Sequence, residues 1–174
     1  MQLFIASDIH GSAVWCEWML RAFERSGAPH LVLLGDILYH GPRNDLPDGY
    51  APKRVIELLS PLAPRILAVR GNCEAEVDQM VLPFPVLADY AVLFFGAKKL
   101  YLSHGHIYSP DHLPPLSAGD LFLSGHTHIP MDEMRAGVRC LNPGSVSIPK
   151  GGSSHSVLLL DEDGTARFLT PENE

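Results

Sequence analysis

Cysteine is scarce in this chain of 174 residues: three, at positions 16, 73 and 140. An odd and widely spaced set excludes a disulfide framework and points to a reducing compartment, so a cytoplasmic location is expected. Basic residues are outnumbered, 13 lysines and arginines against 20 acids, for a formal net charge of −7. With no run of basic side chains to follow a phosphate backbone, a nucleic-acid polymer is not an expected partner. No apolar run approaches the length of a bilayer span, and MQLFIASDIHG reaches an aspartate with no basic region before it. Neither membrane insertion nor a secretory signal is therefore expected. The G-x-S-x-G element of a serine nucleophile is missing, as are repeats and low-complexity tracts.

What remains is an ordinary globular composition, 46% hydrophobic and 19% charged, on a length that suits a single domain over 1–174 with only the PENE end expected to fray. MQLFIAS, HLVLLGD and PRILAVRGN are continuous apolar runs of the kind that buried parallel strands require. Between them, 13–27 has apolar residues at helical spacing closed by Gly27, and a second helix is predicted over Pro52–Leu62. Trp15, Trp18, Met19, Ala22 and Phe23 form the stripe of the first helix that should face the core. From about residue 84 the runs shorten, as in AVLFFGA, KKLYLSHGH, DLFLSGHTH, GVRCLNPGS and HSVLLLDEDGTARFL, with DEDG as a hairpin turn. The first half reads as βαβαβ and the second as mostly β. Segment 37–52, rich in proline and glycine, is the longest without periodicity, and long loops of this kind tend to carry function.

At the ends of these apolar runs, each beside a glycine or closing a strand, stand Asp8 and His10 (SDIHG), Asp36 (LLGD), Asn72 (RGNCE), His104 (SHGH), and His126 and His128 (SGHTH). Strand ends are where α/β sheets place their sites, and glycine lets backbone approach a centre closely. A lone aspartate at such a position is more often a turn residue, but the ordered set is specific. Carboxylate, imidazole and amide oxygen together suit borderline divalent ions such as manganese, iron or zinc better than an all-oxygen cage.

Those motifs, with HGPRN, LPDGYAP, VDQM and LNPGSVSIPKGG, resemble the calcineurin-like metallophosphoesterases, and within them the small bacterial phosphodiesterases of the YfcE type, over essentially residues 1–170. The resemblance implies a four-layer α/β/β/α sandwich of two mixed β-sheets flanked by helices. It implies two divalent metal ions, manganese first, with iron, zinc, nickel or magnesium as alternatives. Asp8, His10, Asp36 and His128 would hold one ion; Asp36, Asn72, His104 and His126 would hold the other, with Asp36 shared. Asp36 and Asn72 are the residues expected to act most directly in catalysis. Two such ions act as Lewis acids and turn a bound water into hydroxide near neutral pH. The expected activity is hydrolysis of a small soluble phosphodiester.

Around this set, Cys73 stands where many members of the superfamily carry a histidine held to protonate the leaving group. A thiol there favours good leaving groups. It reads equally as a small buried side chain, as a metal-adjacent oxidation-sensitive thiol, or as a direct ligand. Arg43 and Asn44, on the long loop, are candidates for substrate or subunit contact against a plain solvated surface, and His40 and Tyr50 are weaker ones. His106 is either a partner orienting a ligand or a structural histidine. His30, His112 and His155 read as structural. Two alternatives share the fold: a phosphomonoesterase or phosphoprotein phosphatase with the same centre, and a non-catalytic scaffold resembling a retromer subunit, which intact ligands disfavour. A homo-oligomer through the exposed loop is also open.

Overall fold

The computed structural model describes residues 2–173. Its first half runs β1 (Gln2–Ala6), α1 (Ala13–Ser26), β2 (His30–Leu33), α2 (Pro52–Leu59), a 3₁₀ stretch (Ser60–Arg65), β3 (Ile66–Ala68) and α3 (Glu76–Val81). Strands follow: β4 (Tyr90–Phe95), β5 (Lys98–Ser103), β6 (Leu121–Leu123), β7 (Met131–Arg135), β8 (Val138–Asn142), β9 (Val157–Asp161) and β10 (Ala166–Leu169). They form two five-stranded sheets, ordered β10-β9-β1-β2-β3 and β4-β5-β6-β8-β7. β1, β2 and β3 are parallel, as are β5, β6 and β8, while β4, β7, β9 and β10 pair antiparallel.

Alternation along the apolar runs generates two cores. Phe4, Ala6, Leu31 and Leu33 pack with Cys16, Met19, Ala22 and Phe23 of α1, whereas Leu3, Ile5, Val32 and Leu34 point the other way, against Leu100, Leu102, Leu123 and Leu141 of the second sheet. A strand buried on both faces has no room for polar residues, which is why these runs are continuous. α1 begins where Ser12 Oγ accepts from the Trp15 N–H at 3.3 Å and ends at Gly27 in the left-handed region, φ 70°. The predicted core stripe holds, Trp15 being only partly buried at its margin and stacked on His155.

Helices cover the outer face of the first sheet as expected. On the outer face of the second, Tyr101, Phe122, Val138 and Cys140 are covered by Tyr108, Leu113, Leu116 and Met131. That layer comes mainly from the irregular segment 104–120, where Pro110, Pro114 and Pro115 remove the amide donors a helix would need. Helix α2 is shorter than predicted for the same reason, Pro61 and Pro64 tightening its continuation into 3₁₀ geometry. The DEDG hairpin forms as read, with the Gly164 N–H donating to the Asp161 carbonyl at 2.8 Å. Two elements escaped the pattern. β7 has burial only at Met131, its other side chains being exposed, and the single turn-and-a-half of α3 is too short for periodicity to register.

Candidate metal centre

The parallel strands of both sheets deliver their carboxyl ends to one rim, and the connections leaving them run side by side. Asp8 N–H donates to the Gly35 carbonyl at 3.1 Å, His10 N–H to Asp36 at 2.9 Å, and Gly125 N–H to His104 at 2.7 Å. Ser145 and Ser147 hydroxyls both donate to the Asp8 carbonyl, at 2.9 and 3.2 Å. The Asn142 amide donates to the Gly125 carbonyl at 2.8 Å and to Thr127 Oγ1 at 3.1 Å, so the NPGS turn secures the GHTH loop. Within this mesh Asp8, His10, Asp36, His126 and His128 all take left-handed backbone, with φ of 58°, 48°, 54°, 68° and 62°. For residues other than glycine that conformation costs on the order of 1 kcal/mol or more each and gathers at functional sites. Glycine is required beside them: a Cβ on Gly71 would lie 2.1 Å from Asp36 Oδ1, and one on Gly125 would lie 1.9 Å from Ser7 Oγ.

The seven side chains singled out in the sequence all converge. His128 Nε2 lies 3.2 Å and His10 Nε2 3.6 Å from Asp8 Oδ1, and His10 Nε2 is also 3.6 Å from Asp36 Oδ2. On the other side His104 Nε2 lies 3.5 Å from Asp36 Oδ2, 3.2 Å from Asn72 Oδ1 and 3.2 Å from His126 Nδ1. Asp36 Oδ2 belongs to both groups, while its Oδ1 is held by the Cys73 N–H at 2.9 Å.

The donor chemistry tests whether cations fit. His10, His104 and His128 each turn Nδ1 to a backbone carbonyl, of Tyr39, Leu34 and Ile148, at 2.7, 2.6 and 2.5 Å. That bond fixes the neutral tautomer, leaving a lone pair on each Nε2. His10 Nε2 then faces His128 Nε2 at 3.3 Å, lone pair to lone pair. Buried Asp8 Oδ1 has no hydrogen-bond partner. Acceptors facing acceptors need either protons or metal ions between them, and the set fits divalent cations.

Without cations, protons take that place. Burial by itself would lower His104, but its contacts with Asp36 and the charges of Asp8 and Asp36 raise it to about 9. His10 is also raised, its burial outweighed by Asp8. Burial would lift both carboxyls, yet the adjacent histidines carry Asp8 well below its ordinary range and Asp36 below it too.

Of the remaining candidates, Cys73 is half-buried at the mouth, with Sγ grouped among the donor atoms of His10 and Asp36 and accepting from Asn72 Nδ2 at 3.2 Å. It is therefore a thiol beside the centre, not the enclosed core residue that was one of its readings. Burial, then the charge of Asp36, pushes it upward. Arg43 and Asn44 line the same mouth, Asn44 tying its loop through the His40 carbonyl at 2.9 Å. His106 stacks edge-on to His104 with ring centroids 5.4 Å apart, but its Nδ1 is buried without a partner, so it holds no ligand in place by hydrogen bonding. His30 and His112 are exposed, and His155 bonds the Val146 carbonyl beneath Trp15.

Two residues were missed. Lys150 lines the mouth opposite Arg43, brought there by the segment after β8. Glu74 accepts from the N–H groups of Asp36 at 2.9 Å, Ile37 at 2.7 Å and Gly71 at 2.5 Å, clamping the connection after β2 to that after β3. Its position directly after Asn72 and Cys73 was the available signal, but an acid in a turn does not announce three backbone partners.

Residues 1–165 match the model of the calcineurin-like phosphoesterase superfamily domain. The chain is 51% identical over 163 residues to the phosphodiesterase YfcE of Escherichia coli K12, spanning 94% of this chain and 89% of that one. It is 28% identical over 127 residues to the probable metallophosphoesterase YsnB of Bacillus subtilis, 65% of this chain and 68% of that one. The solved structure of E. coli YfcE superposes with a TM-score of 0.91 at 46% identity, covering 98% of this chain and 99% of that one. A Vps29 variant from Entamoeba histolytica shares the fold at a TM-score of 0.59 and 18% identity, over 97% of this chain and 98% of that one.

Two outcomes follow from the geometry. Replacing Glu74 by Gln turns an amide into a ring of three N–H donors, and manganese affinity measured by calorimetry should fall about 10- to 100-fold with the fold retained by circular dichroism. Unchanged affinity would show that the clamp does not set the position of Asp36. For the chelator-treated protein, His104 at about 9 against an ordinary 6.5 contributes stability that is full below pH 6.5 and lost as pH rises through 9. Unfolding free energies from denaturant titration should therefore drop from pH 6 to pH 9.5, by up to about 3 kcal/mol, and a flat profile would refute the assignment.

Proposed function

The chain belongs to the calcineurin-like phosphoesterase superfamily and is a phosphoric ester hydrolase; from that premise we propose that it is a metal-dependent phosphodiesterase acting on a small soluble diester. The observation that carries this reading is the pair of donor groups sharing Asp36 Oδ2, each with an imidazole whose Nδ1 is turned to a backbone carbonyl and whose Nε2 faces the carboxylates.

Asp8, His10, Asp36 and His128 would hold one divalent ion, and Asp36, Asn72, His104 and His126 the other, manganese being the first candidate. When bound, the pair supplies Lewis acidity to the phosphoryl oxygens and a hydroxide nucleophile near neutral pH. The chain's own share is placement. Asp36 uses one oxygen inward while the Cys73 N–H holds the other, so the shared carboxylate cannot rotate away. Asn72 presents its amide oxygen towards His104 and directs its amide nitrogen to Cys73 Sγ. The cavity above them is about 40 Å³, far below the roughly 300 Å³ or more of pockets that enclose a drug-sized ligand. An opening of that size leaves the organic parts of a diester outside it.

Cys73 shapes the choice among esters. At the position beside Asn72 a thiol, with an ordinary pKa near 8.5, is a weaker proton donor than an imidazolium, so leaving groups that depart without protonation are favoured. This favours activated diesters over alkyl monoesters. YfcE carries the name phosphodiesterase. The scaffold reading finds no support in substituted ligands, since all seven positions are intact.

Two experiments test this. Hydrolysis of bis(4-nitrophenyl) phosphate should require manganese or a similar ion, stop on chelation, and fall at least about a thousandfold in Asp36→Ala; a mutant with full activity sinks the two-ion mechanism. Cys73→His should raise hydrolysis of alkyl phosphomonoesters by about tenfold or more, and no gain removes the leaving-group argument.

A further inference from the structure

The mouth of the candidate centre carries more positive charge than the proposed reaction uses. Its floor is Asp36, Asn72, His126 and His128, and its rim includes Arg43 and Lys150. The two cations come from different elements, Arg43 from the connection after β2 and Lys150 from that after β8, and both are tethered to the site. The Asn44 amide donates to the His40 carbonyl at 2.9 Å across the turn that carries Arg43, and the Lys150 N–H donates to the His128 carbonyl at 3.2 Å. Neither side chain has a carboxylate partner among the described residues, whereas Arg54, Arg65 and Arg139 are each paired with an acid. In a chain with 20 acids and 13 bases, both cations lie at the one opening above the candidate donors.

Two divalent ions set against Asp8 and Asp36 already balance a singly charged diester and its nucleophile. Arg43 and Lys150 are in excess of that balance. The opening is small, about 40 Å³, so Arg43 and Lys150 at its rim face the part of a substrate that protrudes from it. Resting on the phosphodiesterase reading, we propose that Arg43 and Lys150 form an anion subsite at the rim, selecting diesters whose organic part carries a second anionic group, a carboxylate or a further phosphate, next to the reacting phosphorus. Arginine offers a planar fork for such a group and lysine a mobile point charge, so the subsite tolerates either anion.

Calorimetric titration of the manganese-loaded protein with phenylphosphonate and with 4-carboxyphenylphosphonate, whose P–C bond is not hydrolysed, reads the subsite without turnover. The carboxylated ligand should bind about five- to tenfold more tightly, with the ratio shrinking as salt is raised. In the R43Q/K150Q double variant the ratio should approach one. Equal affinities in the unsubstituted protein, or a ratio that survives in the double variant, would overturn the proposal. Failure of the phosphodiesterase reading itself would appear differently, as no turnover of bis(4-nitrophenyl) phosphate while the affinity ratio persists, which leaves the subsite standing.

Discussion

Two carboxylates, Asp8 and Asp36, lie buried at the same rim, at 0% and 2% exposure, and most of what surrounds them answers to that constraint. Like charges taken out of water repel each other and lose hydration, an arrangement that costs several kcal/mol per ion unless positive charge is placed between them. Here three imidazoles are turned so that their lone pairs, not their protons, face the carboxylate oxygens. Such a pocket is a poor salt bridge and a good cation cage. Protons satisfy it only partly, which is why His104 is held as high as about 9 when nothing else occupies the gap.

The local backbone bears a second cost. Five of the seven candidate donors sit at positive φ without being glycine, a conformation that the chain does not adopt for its own sake. The two-sheet framework offsets it through bonds between neighbouring connections: those after β1 and β2 are laced by main-chain pairs, and the Ser145 and Ser147 hydroxyls and the Asn142 amide fasten the turn after β8 to Asp8 and to the GHTH loop. Glu74 performs the same service from inside, spending a buried carboxylate on three amide protons. Strain at the rim is thus over-determined from several directions, as pre-organised sites require.

How much of this the sequence disclosed follows from where the physical signal is strong. Strands buried on both faces must be apolar throughout, so β1, β2, β5, β6 and β9 were legible. Side chains that end such strands in an acid, amide or histidine beside glycine violate that pattern, and the violation marked all seven donors. β7 was illegible because its exposed Asp132, Glu133, Met134 and Arg135 look like loop, and its strand character comes from pairing with β8. The layer over the second sheet was expected to be helical, but segment 104–120 carries too many prolines for one, and its apolar residues serve as a lid instead. Lys150 and Glu74 were missed for a shared reason: each acts through the company that the tertiary fold gives it, and neither has a distinctive spacing.

That division between legible and illegible residues mirrors a division of labour. The floor of the centre is drawn from strand ends of both sheets, where the packing of the cores positions the backbone. The rim comes from the 37–52 loop and the segment after β8, which present Arg43 and Lys150 as exposed side chains. The candidate donors are therefore placed by the part of the chain that the cores constrain, and the mouth around them by two exposed segments. Cys73 lies at the boundary: half-buried, bonded to Asn72 of the floor and lining the same opening as Gly41 of the loop. On the reading proposed above, a change there would alter proton supply to the leaving group while leaving the seven candidate donor residues unchanged.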